Sequence, residues 1–332
     1  MKVGVLQFFS WPERRVPLHT VYERALQRIV TMDDAGYDAV WLAEHHFTTY
    51  SVCPSVHLMA LEAAHRTHRI RIGTAVSLAA LYHPLRLAEE VALLDVLTGG
   101  RVNWGAGRGF ERTEFEAFGV PLDETAPRFR EAVEVVLAAW RNERLTFHGK
   151  YWHFDDVEVL PKPAQQPGPP TWVAATSPDA VSWAASLGYE ILMDPHASFA
   201  EIGAKYERYC EERATHGFGP PSDTPMARLV AVAATDEEAR EIARVGAAWT
   251  IGAYANADGG AIGVPVGPNG FGADVESRID GYVDEKIVWG SSARVRDELA
   301  RLAEQMHLGY LMIAPLSHDS FVRFTEEVLP HI

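Results

Sequence analysis

The chain has 332 residues, 47% of them hydrophobic, and no apolar run long enough to cross a bilayer. Its 45 acidic and 30 basic residues give a formal charge of −15, which repels phosphate backbones, so nucleic acid is not an expected partner. The two cysteines, Cys53 and Cys210, are far apart and favour neither a disulfide framework nor a metal site. The apolar run at residues 3–6 lacks the pattern of a signal peptide, so we expect a cytoplasmic protein that does not bind membranes.

Short apolar strands alternate with helices from the first residues onward. Residues 3–8 form an apolar stretch that predicts a strand, and residues 21–35 place apolar side chains at helical spacing. Gly36 ends that helix, as a left-handed C-cap requires, and an apolar strand follows at once. The same order of helix, glycine and strand recurs at Gly188 and Gly309. It indicates a repeated helix-to-strand unit.

This unit recurs often enough to define a fold class. Strands are predicted at residues 3–8, 39–43, 70–76, 102–106, 171–175, 190–193, 228–234 and 310–314. Beyond the helix at 21–35, helices are predicted at residues 55–66, 85–97, 127–140, 179–187, 198–213, 236–249, 292–306 and 317–328. The alternation predicts an α/β fold, a (β/α)8 TIM barrel, as a single domain over residues 1–332. A doubly wound sheet is the alternative.

Two stretches interrupt the alternation. Residues 145–159 are rich in aromatic side chains around a Gly-Lys pair, which predicts a hairpin insertion after the fourth helix. A proline-rich connector follows at residues 160–170. Residues 250–285 are rich in glycine and lack apolar periodicity. They predict a long mobile loop after the seventh strand, of the kind that serves as a lid or a binding loop.

The apolar strand at residues 39–43 ends abruptly at Glu44, His45 and His46. The carboxyl ends of parallel strands are where ligands bind in such folds, so this polar cluster is a candidate catalytic site. Adjacent residues of an extended chain point to opposite sides, so one histidine can face a pocket while the other supports it. For the same reason the three side chains cannot converge on one ion, and no metal site is predicted. The alternative is that both imidazoles are hydrogen-bonded groups at a strand end.

The strand at residues 102–106 opens into a glycine-rich loop. Gly107 and Gly109 let backbone amides approach an anion closely, and Arg108 can donate charge-assisted hydrogen bonds to a phosphate. The spacing is GxGxG and not GxGxxG, which disfavours a dinucleotide fold. The alternative is a tight structural turn with a solvated arginine.

A second candidate phosphate site follows the strand at residues 171–175. Thr176 and Ser177 precede Pro178, so Ser177 is suited as an N-cap and the free amides of the helix start can bind an anion. Capping without any ligand is the alternative.

Several motifs spread along the chain occur together in one known family. They are WLAEHHF at 41–47, HPLRLAEE at 83–90, LLD at 93–95, GGRV at 99–102, GRG at 107–109 and FG at 118–119. With them the chain resembles the bacterial luciferase-like flavin monooxygenases, over nearly its whole length. The resemblance implies a (β/α)8 barrel that uses reduced FMN supplied by a separate flavin reductase. It also implies that dioxygen and a flavin hydroperoxide oxygenate an apolar or carbonyl-containing small molecule.

The resemblance also implies roles for individual residues. The family's catalytic histidine corresponds to His45, with Glu44 and His46 beside it. Gly107 stands where luciferases have a reactive cysteine. The cofactor-binding residues that we expect are Arg108, Gly107, Gly109, Ser177, Thr176, Ala75 and, as a second arginine near the phosphate, Arg128.

The substrate pocket is expected to be apolar, with Phe8, Trp104 and Phe110 among its walls. We also expect a homodimer. Two other functions remain open: hydride transfer dependent on the deazaflavin F420, and a non-catalytic flavin-binding subunit. The presence of both His45 and Arg108 favours catalysis, because the non-catalytic chains lack the histidine and the arginine-glycine loop.

Overall fold

The computed structural model of the protein describes residues 1–255, 275–306 and 308–332. The strands are β1 (Lys2–Gln7), β2 (Ala39–Leu42), β3 (Arg71–Thr74), β4 (Ser77–Leu78), β5 (Val102–Gly107), β6 (Leu145–His148), β7 (His153–Val157), β8 (Thr171–Ala174), β9 (Glu190–Leu192), β10 (Pro225–Ala233), β11 (Ile287–Ser291) and β12 (Tyr310–Pro315). The helices are α1 (Leu18–Ala35), α2 (Val56–Arg66), α3 (Pro84–Leu97), α4 (Arg112–Ala117), α5 (Thr125–Arg141), α6 (Pro178–Ser186), α7 (Phe199–Thr215), α8 (Asp236–Ala255), α9 (Val275–Lys286), α10 (Ser292–Met306) and α11 (His318–Arg323). Each strand predicted from the sequence is present within a few residues of its expected bounds.

The described chain divides into two compact units. The first unit is Gln7–Ala174, and the second unit combines Met1–Leu6 with Ala175–Ile332. The single domain over residues 1–332 stays a prediction.

In the first unit, β2, β3, β5 and β8 pair side by side in parallel. The register aligns Trp41 with Gly73, and the absence of a side chain at Gly73 makes room for the Trp41 indole. Trp41 is fully buried and meets Trp172 of β8 edge-on, with ring centroids 5.2 Å apart. All four residues of β2 are buried and apolar. The first polar side chain after the strand is Glu44.

Helix ends in the first unit follow the sequence closely. Gly36 adopts a left-handed conformation, with a φ of 83°, and ends α1 immediately before β2. The Ser55 side chain accepts a hydrogen bond from the Leu58 amide and caps α2. The predicted hairpin is confirmed, because β6 and β7 pair antiparallel after α5.

In the second unit, β10 pairs in parallel with β12 and with β11, and β12 also pairs with β1. Strand β9 joins β10 through a parallel bridge from Met193 to Met226. Helix α7 begins with a capping box, in which Ser198 and Glu201 satisfy each other's backbone amides.

The predicted loop over residues 250–285 needs correction at both ends. Helix α8 continues to Ala255, and residues 275–286 form α9. Arg240 and Arg244 of α8 form ion pairs with Asp280 of α9, which favours helix in both segments. Residues 256–274, where the rest of the predicted loop falls, lie outside the described residues. Strand β11, which directly follows α9, was not predicted.

Within the described ranges, no helix combines the length and the hydropathy that spanning a bilayer requires.

Candidate active site

The carboxylate of Glu44 lies at the carboxyl end of β2 and is fully buried. Its Oε1 accepts a hydrogen bond from the Tyr82 hydroxyl at 2.8 Å and lies 3.0 Å from His46 Nε2, and its Oε2 accepts from the Leu78 amide at 3.1 Å. Burial, together with the nearby Glu44 charge, raises the pKa of Tyr82, so the phenol remains a donor. Glu44 therefore ties β2 to the segment around β4.

The side chain of His46 points toward the Glu44 carboxylate. Besides its contact with Glu44, its ring meets Phe118 edge-on at a centroid distance of 4.9 Å. Its backbone amide donates to Glu114 Oε1 at 2.8 Å. His46 is thus held on both its side chain and its backbone.

His45 points elsewhere and lies among aromatic rings. The ring stacks on Phe8 with an interplanar angle of 21°, and Tyr50 and Phe110 meet it edge-on at centroid distances of 5.1 and 5.7 Å. Only 8% of His45 is exposed. The structure therefore brings the predicted catalytic histidine together with two of the three predicted pocket residues.

Two carboxyl groups that were not predicted lie near His45. Glu114 of α4 is buried, and its Oε1 lies 3.7 Å from His45 Nδ1, a buried atom without a hydrogen-bond partner in the described structure. Burial raises the pKa of Glu111, the N-cap residue of α4; His45 opposes this shift and Glu114 adds to it. The sequence feature that could have predicted both carboxyl groups is their spacing. Glu111 and Glu114 are three positions apart directly after the glycine-rich loop, which places them on one helix face.

The glycine-rich loop has little room for side chains. A Cβ atom at Gly107 would overlap Val76 Cγ2 and lie 3.0 Å from Val76 Cβ. Val76 thus fills the space in which the resemblance places a cysteine. Gly109 has a φ of 88°, a left-handed conformation that turns the chain away from β5.

Arg108 lies between these glycines and is half-buried. Burial lowers the pKa of its guanidinium. It makes no hydrogen bond or ion pair with any residue that the structure describes. A half-buried cation without a protein partner is suited to bind an anion that the chain does not supply.

Ala75 follows β3, and its amide donates to the Leu42 carbonyl of β2 at 2.7 Å. The peptide bond between Ala75 and Val76 is cis. The hydrogen bond to Leu42 places Ala75 beside the end of the strand that leads into Glu44.

Arg128 has partners of its own. Its Nε donates to Glu124 at 2.8 Å, and its guanidinium lies 4.6 Å from the centre of the Tyr151 ring. The structure therefore uses Arg128 to join α5 to the hairpin.

Trp104 does not line an open pocket with Phe8 and Phe110. It is fully buried and meets Trp140 of α5 edge-on at 5.0 Å. Side chains alternate along a strand, so Trp104 lies on the helix-facing side of β5.

Ser177 and Thr176 belong to the second unit, and both are exposed. The Ser177 side chain accepts from the Ala180 amide at 3.2 Å, and Pro178 is the first residue of α6. The predicted N-cap is confirmed, and the phosphate contacts of Ser177 and Thr176 stay predictions.

The model of the luciferase-like monooxygenase family matches residues 1–307. The chain belongs to this family. The resemblance deduced from the sequence motifs is confirmed, and luciferase-like monooxygenases with known activities include flavin-dependent enzymes.

Two relatives of the chain illustrate the range of similarity. Protein y4wF of Sinorhizobium fredii is 33% identical over 282 residues, which cover 84% of this chain and 80% of the relative. The oxygenase component of the flavin-dependent trigonelline monooxygenase of Acinetobacter baylyi is 30% identical over 177 residues. That match covers 53% of this chain and 49% of the relative, about half of each.

Solved structures confirm the fold class, a (β/α)8 barrel of the α/β class. The monooxygenase RslO1 from Streptomyces bottropensis is 26% identical, with a TM-score of 0.84 over 100% of this chain and 99% of its own. The oxygenating constituent of 3,6-diketocamphane monooxygenase from Pseudomonas putida, a Baeyer-Villiger enzyme in complex with FMN, is 19% identical, with a TM-score of 0.80 over 100% and 99%. The F420-dependent tetrahydromethanopterin reductase of Methanopyrus kandleri shares the fold at 17% identity, with a TM-score of 0.77 and 99% of both chains covered.

Proposed function

We propose that this luciferase-like monooxygenase takes reduced FMN from a separate flavin reductase in the cytoplasm. With dioxygen it would add one oxygen atom to an apolar or carbonyl-containing small molecule. The proposal rests on two observations: a half-buried Arg108 that has no partner among the described residues, and a His45 imidazole enclosed by aromatic rings. One of those rings, Phe110, lies two positions after Arg108 in the chain. When bound, reduced FMN supplies the electrons that activate dioxygen.

The residues of the first unit fit a flavin phosphate. The Arg108 guanidinium can donate two parallel hydrogen bonds to phosphate oxygens, and its surroundings contain no carboxylate in contact with it among the described residues. Gly109 adopts a left-handed conformation that places a tight turn directly after Arg108. Ala75 directly follows β3, the strand that pairs with β5. Arg128 is the weaker candidate because Glu124 and Tyr151 already engage its guanidinium.

His45 and the aromatic side chains around it are suited to acid–base catalysis in a site from which water is excluded. His45 is suited to take a proton from the substrate side and return it, because an imidazole titrates near neutral pH in water. Phe8, Tyr50 and Phe110 surround its ring and exclude water. Glu44 and His46 would act by fixing the strand end, since their polar atoms already bond to each other.

Anaerobic titration with reduced FMN, followed by ¹⁸O₂ and mass spectrometry of a metabolite mixture, tests the proposal. We expect tight binding of reduced FMN and transfer of one ¹⁸O atom to a product. Binding of reduced F420 with oxygen-independent substrate reduction would instead establish the hydride-transfer alternative. Binding of FMN with no oxygen uptake beyond free-flavin autoxidation would support a non-catalytic subunit.

We also propose that the protein acts as a homodimer through the outer face of α2 and α3. Leu58 of α2 and Leu93, Val96 and Leu97 of α3 are large apolar side chains that are 45% or more exposed. Light scattering after size-exclusion chromatography should give twice the mass of the chain. Leu97→Lys should shift it toward the monomer, whereas Leu187→Lys, at an exposed leucine outside this face, should not.

A further inference from the structure

We propose that Glu114 is a positioning residue that holds the His45 imidazole with its proton on Nδ1, which leaves Nε2 as the proton-accepting atom. The inference deepens the proposed function, on which it rests for the acid–base role of His45.

The two side chains face each other in a buried place. Glu114 Oε1 lies 3.7 Å from His45 Nδ1, and the side chains are 2% and 9% exposed. Nδ1 has no hydrogen-bond partner in the described structure, although it is buried. An unpaired N–H is costly there, and the carboxylate is the acceptor within reach. A small rotation of either side chain would bring the two atoms to hydrogen-bond distance, as often happens when a ligand binds.

The orientations of both groups are restrained. Phe8 stacks on the His45 ring while Tyr50 and Phe110 pack against it edge-on, so the ring cannot turn freely. Glu114 Oε1 also accepts the His46 amide at 2.8 Å, which fixes the carboxylate next to the backbone of the strand end. One oxygen of Glu114 thus lies between the two histidines.

The titratable groups that face His45 are Glu114 and Glu111 from the region of α4, and Tyr50 from the segment after β2. Burial raises the pKa of Glu111 and so favours its neutral form. The carboxylate assigned to the ring is Glu114, whose Oε1 lies 3.7 Å from His45 Nδ1. When Nε2 takes a proton, the imidazolium is stabilised by that carboxylate, and no further proton has to move.

The test measures the tautomer of His45 directly in the flavin-free protein by ¹⁵N NMR of the imidazole, assigned with His45→Gln. The variant is Glu114→Gln, which keeps an oxygen to accept the His46 amide but removes the charge. Glu116→Gln is the matched control, since Glu116 lies on the same helix, is exposed and pairs with Arg112.

We expect the wild-type ring to be protonated at Nδ1 and the Glu114→Gln ring to be a mixture of both tautomers, with the control unchanged. Turnover in Glu114→Gln should fall by about 10- to 100-fold, part of the roughly 10²- to 10⁴-fold that a positioned acid–base group contributes. Affinity for reduced FMN should stay the same. A wild-type ring protonated at Nε2, or a tautomer that Glu114→Gln does not change, would overturn the inference. Because the NMR measurement uses no flavin, failure of FMN binding would count against the proposed function alone.

Discussion

Two parts of the first unit use charged residues in opposite ways. The first is the hairpin anchor, formed by Arg128 and Glu131 of α5 with residues 150–152 of the hairpin. There Glu131 accepts the backbone amides of Lys150, Tyr151 and Trp152 at 2.7 to 2.8 Å. The second is the strand-end site, formed by His45, Arg108 and the residues around them, where the guanidinium and Nδ1 have no hydrogen-bond partner among the described residues.

This difference in pairing distinguishes charged groups that stabilise the fold from those available to bind a ligand. Polar groups that are buried in a folded chain are normally paired, and pairing of this kind stabilises the native state. The charged group of the hairpin anchor follows that rule, because backbone donors surround the Glu131 carboxylate. The strand-end site departs from it, and a polar group left open at a strand end indicates a ligand that the chain itself does not provide.

The largest expected effect is at His45. His45→Ala should lower product formation by about 10²- to 10⁴-fold while flavin binding persists, because positioned acid–base help is lost. His46→Ala should reduce the rate less and lower the thermal unfolding temperature more, since Glu44 then loses a partner. Steady-state kinetics and thermal melts of both variants measure this. A fully active His45→Ala beside an inactive but stable His46→Ala would show that the two histidines had been assigned the wrong roles.

The next largest effect is expected on the affinity for reduced FMN, which we compare between variants of two arginines in the first unit. Arg108→Ala should weaken binding of reduced FMN by about 10- to 100-fold, since charge-assisted hydrogen bonds to phosphate contribute roughly 1.5–3 kcal/mol. Arg128→Ala is the matched control, because its guanidinium is already bonded to Glu124, and it should bind almost normally. Anaerobic fluorescence titration gives both dissociation constants. Equal affinities in Arg108→Ala and wild type would reject Arg108 as the phosphate anchor.

At the hairpin anchor the expected effect is on stability alone. Glu131→Ala leaves three backbone amides without their acceptor, which should cost about 1–3 kcal/mol and increase amide exchange in β6 and β7. Substitution of Glu143, an exposed residue near the end of α5, should change neither quantity. If Glu131→Ala lost activity at unchanged stability, the contrast between the two regions would fail.

The smallest effect concerns Glu90 of α3. The His57 imidazole, whose Nδ1 lies 3.3 Å from Glu90 Oε2, together with Arg86 lowers the pKa of Glu90 from its ordinary 4.5 to about 2. A lowered folded-state pKa contributes stability above the ordinary value, and this is lost as the pH falls toward about 2. Glu90→Gln should therefore be less stable than wild type near neutral pH, by under about 1 kcal/mol because the side chain is partly exposed.

Denaturant unfolding from pH 7 down to pH 3 measures this difference, which should shrink below pH 4.5. Glu89→Gln, at the exposed neighbouring position, is the control. A gap between Glu90→Gln and wild type that stayed constant across this range would contradict the assignment.

Periodicity and glycine positions predicted most of the fold. The helix ending at Gly36 and the buried strand after it depend on local chemistry, and both are present. Strand β11 was missed because five residues between two helices are too few to show a period. The long loop was overextended because the glycines between residues 259 and 270 and the weak apolar periodicity were taken to describe the flanking residues as well. Ion pairs between α8 and α9 favour helix in those flanking residues.

Only some residues of the candidate site could be predicted from the sequence. His45 and Arg108 stand out because polar residues follow apolar strands. Glu114 could not be recognised in this way. It lies on α4, which is only six residues long, and the His46 amide that donates to its carboxylate is 68 positions away in the chain. Trp104 was placed in the pocket because composition cannot distinguish the two faces of a strand that is buried on both sides.

The packing of Val76 against Gly107 makes these two positions interdependent in evolution. A side chain of any size at 107 would collide with a branched residue that has little freedom to rotate. A cysteine at 107 therefore does not fit while Val76 keeps its present position. A smaller residue at 76 would open the space that Gly107→Cys requires.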